Sequence, residues 1–310
     1  MLKTIVLGGQ TGAGKTSLAI SLCREFGGEI ISADSMQVYR GMDIGTAKPA
    51  KEELSLAPHH LIDILDIEQS FSSADFVSYA SDALRDICSR GKIPFVVGGT
   101  GLYSQMLFNS FELENGKGDP KVRKALAEEA KERGAQALYD ELRGIDPEAA
   151  ARTHPNNVRR VIRYLEIFRV TGMTPTRVNE LNNSGKKEYD PLYICLWSAD
   201  RQLIYSRINA RVDEMFARGL EKEARSLWER GLENAPTASA AIGYKELFPY
   251  FRGETGLEEA KELIKKNSRN YAKRQQTYFK RIPGCVFADI ADDPANTVRA
   301  LVRAHLEQTI

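Results

Sequence analysis

Residues 4–26 read TIVLGGQTGAGKTSLAISLCREF, and three patterns follow one another within them. Thr4 to Gly8 is a short apolar, β-branched run, the next residues are glycine-rich, and Lys15 to Phe26 sets Leu18, Ala19 and Leu22 on one helical face. The loop between strand and helix, Gly9-Gln10-Thr11-Gly12-Ala13-Gly14-Lys15-Thr16, fits G-x-x-x-x-G-K-[ST]. Such glycines let backbone N–H groups curl around phosphate oxygens, and the helix N-terminus adds positive potential. Lys15 then supplies a point charge, and the Thr16 hydroxyl a ligand for Mg2+. A P-loop of this kind recognises a phosphate chain, not the group attached to it.

Outward from the loop, EIISAD (29–34), HHLIDIL (59–65) and KIPFVVGG (92–99) are apolar runs of strand length. Between the last two, Ser72 or Ser73 caps a predicted helix on which Phe76, Tyr79, Ala80, Ala83, Leu84 and Ile87 recur at helical spacing. Strands alternating with helices imply a parallel sheet covered on both faces. From about Asp119 to Thr171 the period is helical, with openings at Asp119-Pro120, Asp146-Pro147 and Asn156 or Asn157. A strand returns at PLYICLW (191–197), and CVFADI (285–290) is a further candidate. The expected fold is α/β: a P-loop NTPase-like parallel sheet core over 1–114 and 186–310, with additional C-terminal helices, interrupted by an all-helical insertion over 115–185.

The 310 residues are 42% hydrophobic and 27% charged, which places the chain among globular proteins rather than disordered or fibrous ones. Cys23, Cys88, Cys195 and Cys285 lie far apart, so neither a zinc site nor a disulfide framework is suggested. MLKTIVLGG reads as a first strand and not as a signal peptide. No stretch approaches the roughly 18 apolar residues of a membrane span. A reducing cytoplasm and no membrane association are expected.

The formal net charge of +1 hides a strong segregation. Residues 152–177 hold six arginines against Glu166, a net of +5, and residues 261–281 hold eight cations against Glu262, a net of +7. The rest of the chain carries -11. Charge so placed suits a grip on a phosphate backbone, and equally a solvated helix face. In the first window Arg159, Arg160 and Arg163 are interleaved with Val161 and Ile162. In the second, Lys273 and Arg274 lie among Tyr271, Tyr278 and Phe279, rings that either stack on bases or pack.

The PFVVGGTG strand ends in Gly98, Gly99 and Thr100 without the carboxylate that hydrolytic P-loop proteins place there, and no N-K-x-D guanine reader is visible. Both absences favour a small transferase over a GTPase or motor. Asp34 lies at the end of the second strand, which in a doubly wound sheet faces the ligand crevice. Position alone leaves a general base, a metal ligand and an Asx-turn or capping residue open. Ser35 and Gln37 are candidates to bond a base edge or polar substrate, and Lys48 to meet phosphate. Arg207 and Arg211 stand i, i+4 on one helix, the spacing of a diphosphate clamp and also of an ordinary surface pair.

Together these residues resemble the tRNA dimethylallyltransferases, also called tRNA isopentenyltransferases. The resemblance runs through the loop at 9–16, ISADSMQVYRGMDIGTAKP (31–49), VVGGTGLY (96–103), DPKVR (119–123) and HPNNVRRVIRYLEI (154–167). It continues through DRQLIYSRINARVDEMFARGLEKE (200–223), AIGYKEL (241–247) and YAKRQQTYFKR (271–281). Gln10 stands where the family usually has Pro, and Tyr278 where Trp is common. The zinc-finger tail of eukaryotic members is absent, which implies a bacterial-type enzyme. The resemblance implies transfer of a dimethylallyl group from dimethylallyl diphosphate to N6 of adenine 37 in tRNAs reading codons that begin with U. On that basis the P-loop and Mg2+ hold the diphosphate, and Asp34 takes the N6 proton. Asp34, Ser35, Met36, Gln37, Thr100, Arg123 and Arg159 to Arg163 match positions that touch the anticodon stem-loop. A monomer is the default, because one chain holds every residue named.

Overall fold

The computed structural model describes residues 1–108, 118–183 and 188–308. Its strands are β1 (Leu2–Gly9), β2 (Gly28–Ser32), β3 (His59–His60), β4 (Ile93–Val97), β5 (Tyr189–Trp197) and β6 (Val286–Asp289). They form one sheet in the order β3-β2-β4-β1-β5-β6, every pair parallel. The chain divides into two compact units, Met1–Leu107 with Glu188–Ile310, and Phe108–Lys187. The expected junctions near 115 and 185 fall outside the described residues.

In the first unit, helices α1 (Lys15–Phe26), α2 (Lys51–Leu56), α3 (Ser73–Ser89) and α4 (Gly101–Phe108) follow the early strands. Side chains alternate across the sheet, as strand geometry requires. Ile5, Leu7, Ile194 and Leu196 pack with Ala19 and Leu22 of α1, whereas Cys195 packs with Phe279 and Ile282. The capping of α3 is reciprocal: Ser72 Oγ accepts from the Asp75 N–H, and the Asp75 carboxylate accepts from the Ser72 N–H at 2.8 Å.

The helical unit contains α5 (Pro120–Arg133), α6 (Ala135–Ile145), α7 (Pro147–Ala151), α8 (Val158–Thr171) and α9 (Pro175–Asn183). Asp119, Asp146 and Asn157 cap α5, α7 and α8 by accepting backbone N–H bonds, so the Asx-Pro and Asn signals set these boundaries. Leu126, Leu138, Leu142, Val161 and Leu165 form its core. After β5 come α10 (Arg201–Ala217), α11 (Leu220–Glu229), α12 (Phe248–Phe251), α13 (Leu257–Phe279) and α14 (Pro294–Glu307). No described helix is long and apolar enough to cross a membrane.

One expected strand is cut short. HHLIDIL pairs with the sheet only at His59–His60, because Leu61 (φ 62°) and Asp63 (φ 55°) turn into the left-handed region and carry the chain off the edge. That edge is held by Glu29, buried at 5% exposure, which accepts from Arg90 and approaches His60 Nε2 at 2.8 Å. The hydrogen bond from Arg90, with help from His60, holds the Glu29 carboxyl down at about 2. Its stabilising contribution is therefore complete above the ordinary carboxyl range near 4.5 and is lost as pH falls towards 2. Glu29→Gln is expected to lower unfolding free energy by about 3 kcal/mol near neutrality and to flatten the acid limb of a denaturant-stability series.

Candidate active site

The P-loop is preshaped by bonds from distant parts of the chain. Gly9 has φ 134°, and a Cβ there would lie 2.1 Å from the Leu196 carbonyl, so glycine is required where β1 leaves the sheet. The Gln10 side chain accepts from the Ser198 N–H at 3.2 Å, and Ala13 is buried in the core, so both shape the loop from beneath. The Thr11 N–H donates to Gln275 Oε1 at 2.8 Å. Lys15 Nζ donates to the carbonyls of Gly9 (3.1 Å) and Gln10 (2.7 Å), folding back over the loop. α1 begins at left-handed Gly14 with no side-chain cap and no acidic residue in its first turn, which leaves its N-terminal potential for an anion.

Thr11, Gly12, Gly14, Lys15 and Thr16 line a cavity of about 250 Å³ with Asp34, Gln37, Arg211, Tyr271 and Gln275. A second cavity, about 260 Å³, has Asp34, Ser35, Met36 and Arg274 on its polar side, and Ile208, Val212, Met215, Ile242 and Ile264 on its apolar side. Thr11, Asp34, Thr46, Ala47, Arg211 and Tyr271 border both, so a more polar compartment on the P-loop adjoins a more apolar one at Asp34. Burial, then the Arg211 charge, push the Lys15 ammonium down to about 8, while Asp34 acts in the opposite direction. Arg211 is likewise lowered by burial, again against the pull of Asp34.

Asp34 is an Asx-turn residue: Oδ1 accepts from the N–H groups of Met36 (2.8 Å) and Gln37 (3.3 Å). Oδ2 has no hydrogen bond among the described residues, so the turn fixes one oxygen and leaves the other for chemistry. The Gln37 amide is committed to Ser32 Oγ and to the carbonyls of Thr46 and Ala47. Lys48 lines neither of these two cavities. It is buried, with Nζ donating to Tyr39 O at 2.9 Å and to Asp43 and Asp63 at 2.5 Å, and serves as an internal staple.

The Arg207/Arg211 pair separates. Arg211 reaches both cavities, whereas Arg207 is exposed and lines neither, its Cβ lying 3.7 Å from where a Gly12 Cβ would stand. Thr100 also lines neither cavity, and its hydroxyl is buried without a partner among the described residues.

The basic windows are partly neutralised from within. Glu166, fully buried, accepts from Arg123 and Arg163, and Arg169 pairs with Glu129 and Glu141. Val161 and Ile162 belong to the helical unit's core, so their side chains are unavailable to RNA; their helical period required this. Arg159 is exposed without an ion pair among the described residues, and Arg160 donates to the Tyr164 hydroxyl. On α13, Lys261 and Lys265 pair with Asp213, and Arg269 donates to Asn209. Lys273 and Arg274 remain exposed, with Arg274 over the Tyr271 ring.

Gln275 and Glu223 escaped the sequence reading as site residues, whereas Tyr271, named there as a ring that stacks on bases or packs, borders both cavities. Gln275 lies in the quoted YAKRQQTYFKR stretch, but its 4% exposure and its bond to Thr11 depend on a contact 264 residues away. A Cβ at Gly99 would lie 1.8 Å from Gln275 Nε2, so glycine at that strand end makes room for this side chain.

A family model for IPP transferase matches residues 37–282. The tRNA dimethylallyltransferase of Geobacillus thermodenitrificans (strain NG80-2) is 47% identical over 290 residues, 94% of this chain and 91% of that protein. That of Halalkalibacterium halodurans is 46% identical over 290 residues, 94% and 92% of the two chains. The crystal structure of the tRNA isopentenylpyrophosphate transferase from Bacillus halodurans has a TM-score of 0.73 at 42% identity, covering 99% of this chain and 97% of that one. A eukaryotic dimethylallyltransferase captured acting on tRNA has a TM-score of 0.82 at 34% identity, covering 98% of this chain and 78% of that one.

Proposed function

The chain belongs to the IPP transferase family, and we infer that it transfers a dimethylallyl group from dimethylallyl diphosphate to N6 of adenine 37 in tRNAs that read codons beginning with U. Its activity is that of a tRNA prenyltransferase. The observation that supports the residue assignment best is the sharing of Asp34 and Arg211 by the P-loop compartment and the more apolar one. The diphosphate lies against the P-loop, Lys15 and Arg211. The adenine, turned out of its stack, reaches Asp34 from the other compartment.

An adenine amine is a poor nucleophile because its lone pair is delocalised, so its position and its proton decide the rate. As N6 bonds to the first prenyl carbon, that carbon's bond to oxygen breaks and the electron pair leaves with the diphosphate. Asp34 Oδ2 takes the N6 proton. Lys15, Arg211 and the first-turn amides of α1 meet the charge that develops on the leaving group. Thr16 lines the P-loop compartment, and no group of three acidic, His or Cys side chains placed to hold a metal ion exists among the described residues. That donor set fits a Mg2+ ion bound mainly through the substrate diphosphate, which the Thr16 hydroxyl would help to hold. When bound, the ion neutralises part of the diphosphate charge.

The direct test is incubation with dimethylallyl diphosphate, Mg2+ and an anticodon stem-loop carrying adenines at positions 36 to 38. The RNA is expected to gain the mass of one dimethylallyl group, and transfer of the ATP γ-phosphate instead would mark a kinase. Cations without internal partners should carry the RNA contact. Lys273→Ala and Arg274→Ala are each expected to lower the slope of log affinity against log salt by about one. Lys261→Ala and Lys265→Ala should leave that slope unchanged, because Asp213 and Glu262 together already balance those two cations.

A further inference from the structure

The turn Asp43–Ala47 walls the site without containing any group that acts on substrate. Thr46 and Ala47 border both compartments, and Gly45 borders the second. Ala47 holds a left-handed φ of 49°, which an isolated five-residue peptide would rarely keep. Something outside the turn must therefore fix it.

The Glu223 carboxylate, in the first turn of α11, accepts hydrogen bonds from three consecutive backbone amides. Oε1 accepts from Ile44 (3.0 Å) and Gly45 (3.1 Å), and Oε2 from Asp43 (3.2 Å) and Ile44 (2.9 Å). The Tyr244 hydroxyl donates to Oε1 at 2.7 Å. Tyr244 is fully buried, and burial, aided by the Glu223 charge, pushes its phenol well up, so it stays a donor. Its ring leaves no room for a side chain at position 45, where a Cβ would lie 2.5 Å away. From the opposite side Gln37 Nε2 donates to the carbonyls of Thr46 and Ala47.

We propose that Glu223, seconded by Tyr244, is a positioning residue that fills a nest of backbone amides in the 43–47 turn and so sets the shape of the wall common to both compartments. A carboxylate suits the place because every group facing it is a donor. An amide would offer one acceptor and turn two hydrogens towards three N–H groups. The kinetic part of the following test rests on the transferase reading, but the pyrophosphate binding part does not.

Glu223→Gln, Glu223→Asp and Tyr244→Phe are compared in steady-state prenyl transfer, in calorimetric binding of inorganic pyrophosphate without RNA, and in thermal melting. Glu223→Gln is expected to raise KM for dimethylallyl diphosphate about tenfold with kcat changed less than threefold. Pyrophosphate affinity should fall by the same factor. Glu223→Asp should fall between Gln and wild type, and Tyr244→Phe should weaken binding about threefold. Unchanged KM and pyrophosphate affinity in every variant that folds, with only melting temperature lowered, would overturn the proposal. If wild-type protein transfers no prenyl group but Glu223→Gln still weakens pyrophosphate binding, the positioning role stands and the functional reading falls.

Discussion

Asp34→Asn is expected to lower kcat for prenyl transfer by about 10³-fold while leaving the affinity for the anticodon stem-loop within about twofold of wild type. The choice of Asn matters because it separates the turn that Asp34 makes from the proton uptake proposed for it. Its Oδ1 accepts the Met36 and Gln37 amides. Asn forms the same Asx turn with its side-chain oxygen, so the local backbone survives and only proton uptake at the second oxygen is lost. Asp34→Ala removes both functions and should weaken RNA binding as well, since Ser35 to Gln37 lose their anchor. Single-turnover rates with saturating RNA separate the two effects, because they report chemistry without the binding step. Equal losses in rate and affinity for Asp34→Asn would make the residue a base reader instead.

The second large effect belongs to Lys15. Lys15→Met is expected to reduce kcat/KM for dimethylallyl diphosphate by about 10²–10³-fold, since it removes a preorganised cation from the departing diphosphate. The wild-type protein carries an internal check on this assignment. With the free ammonium lowered to about 8 by burial and the nearby Arg211 guanidinium, the charged fraction falls as pH rises through that value. Diphosphate binding should therefore weaken above about pH 8 and be flat below it. In Lys15→Met that inflection disappears. Pyrophosphate titrations between pH 6.5 and 9.5 read this directly, and an inflection that persists in the variant would assign it to another group.

How much of this was legible in the sequence depended on whether a residue's partner lies close in the chain. The P-loop, the Asp-Pro and Asn caps and the β4 and β5 strands were readable because their signals span four to eight residues. HHLIDIL failed as a full strand because nothing in its apolar pattern announces left-handed Leu61 and Asp63. The basic windows overstated the free charge for a related reason. Counting cations within a window ignores Glu129 and Glu141, which meet Arg169, and Asp213, which meets two lysines. Lys48 stood in a polar loop beside the candidate base, and only the fold turned Asp43 and Asp63 towards it. Glu223 and Gln275 were beyond reach, since each acts on backbone amides about 180 to 264 positions away.

The stapling of the P-loop also orders the protein's birth. The loop leaves the ribosome within the first sixteen residues, yet three of its constraints come from Leu196, Ser198 and Gln275. β1 itself lies between β4 and a strand that begins at Tyr189, beyond the whole helical unit. Closing so long a loop costs little more than closing a shorter one, because the entropy grows only with the logarithm of its length. The delay is in time. A nascent chain stopped anywhere before α13 has the phosphate-binding sequence without the clasp at Thr11. The capacity to hold a diphosphate firmly should thus arrive late in synthesis, with the same helix that bears Lys273 and Arg274.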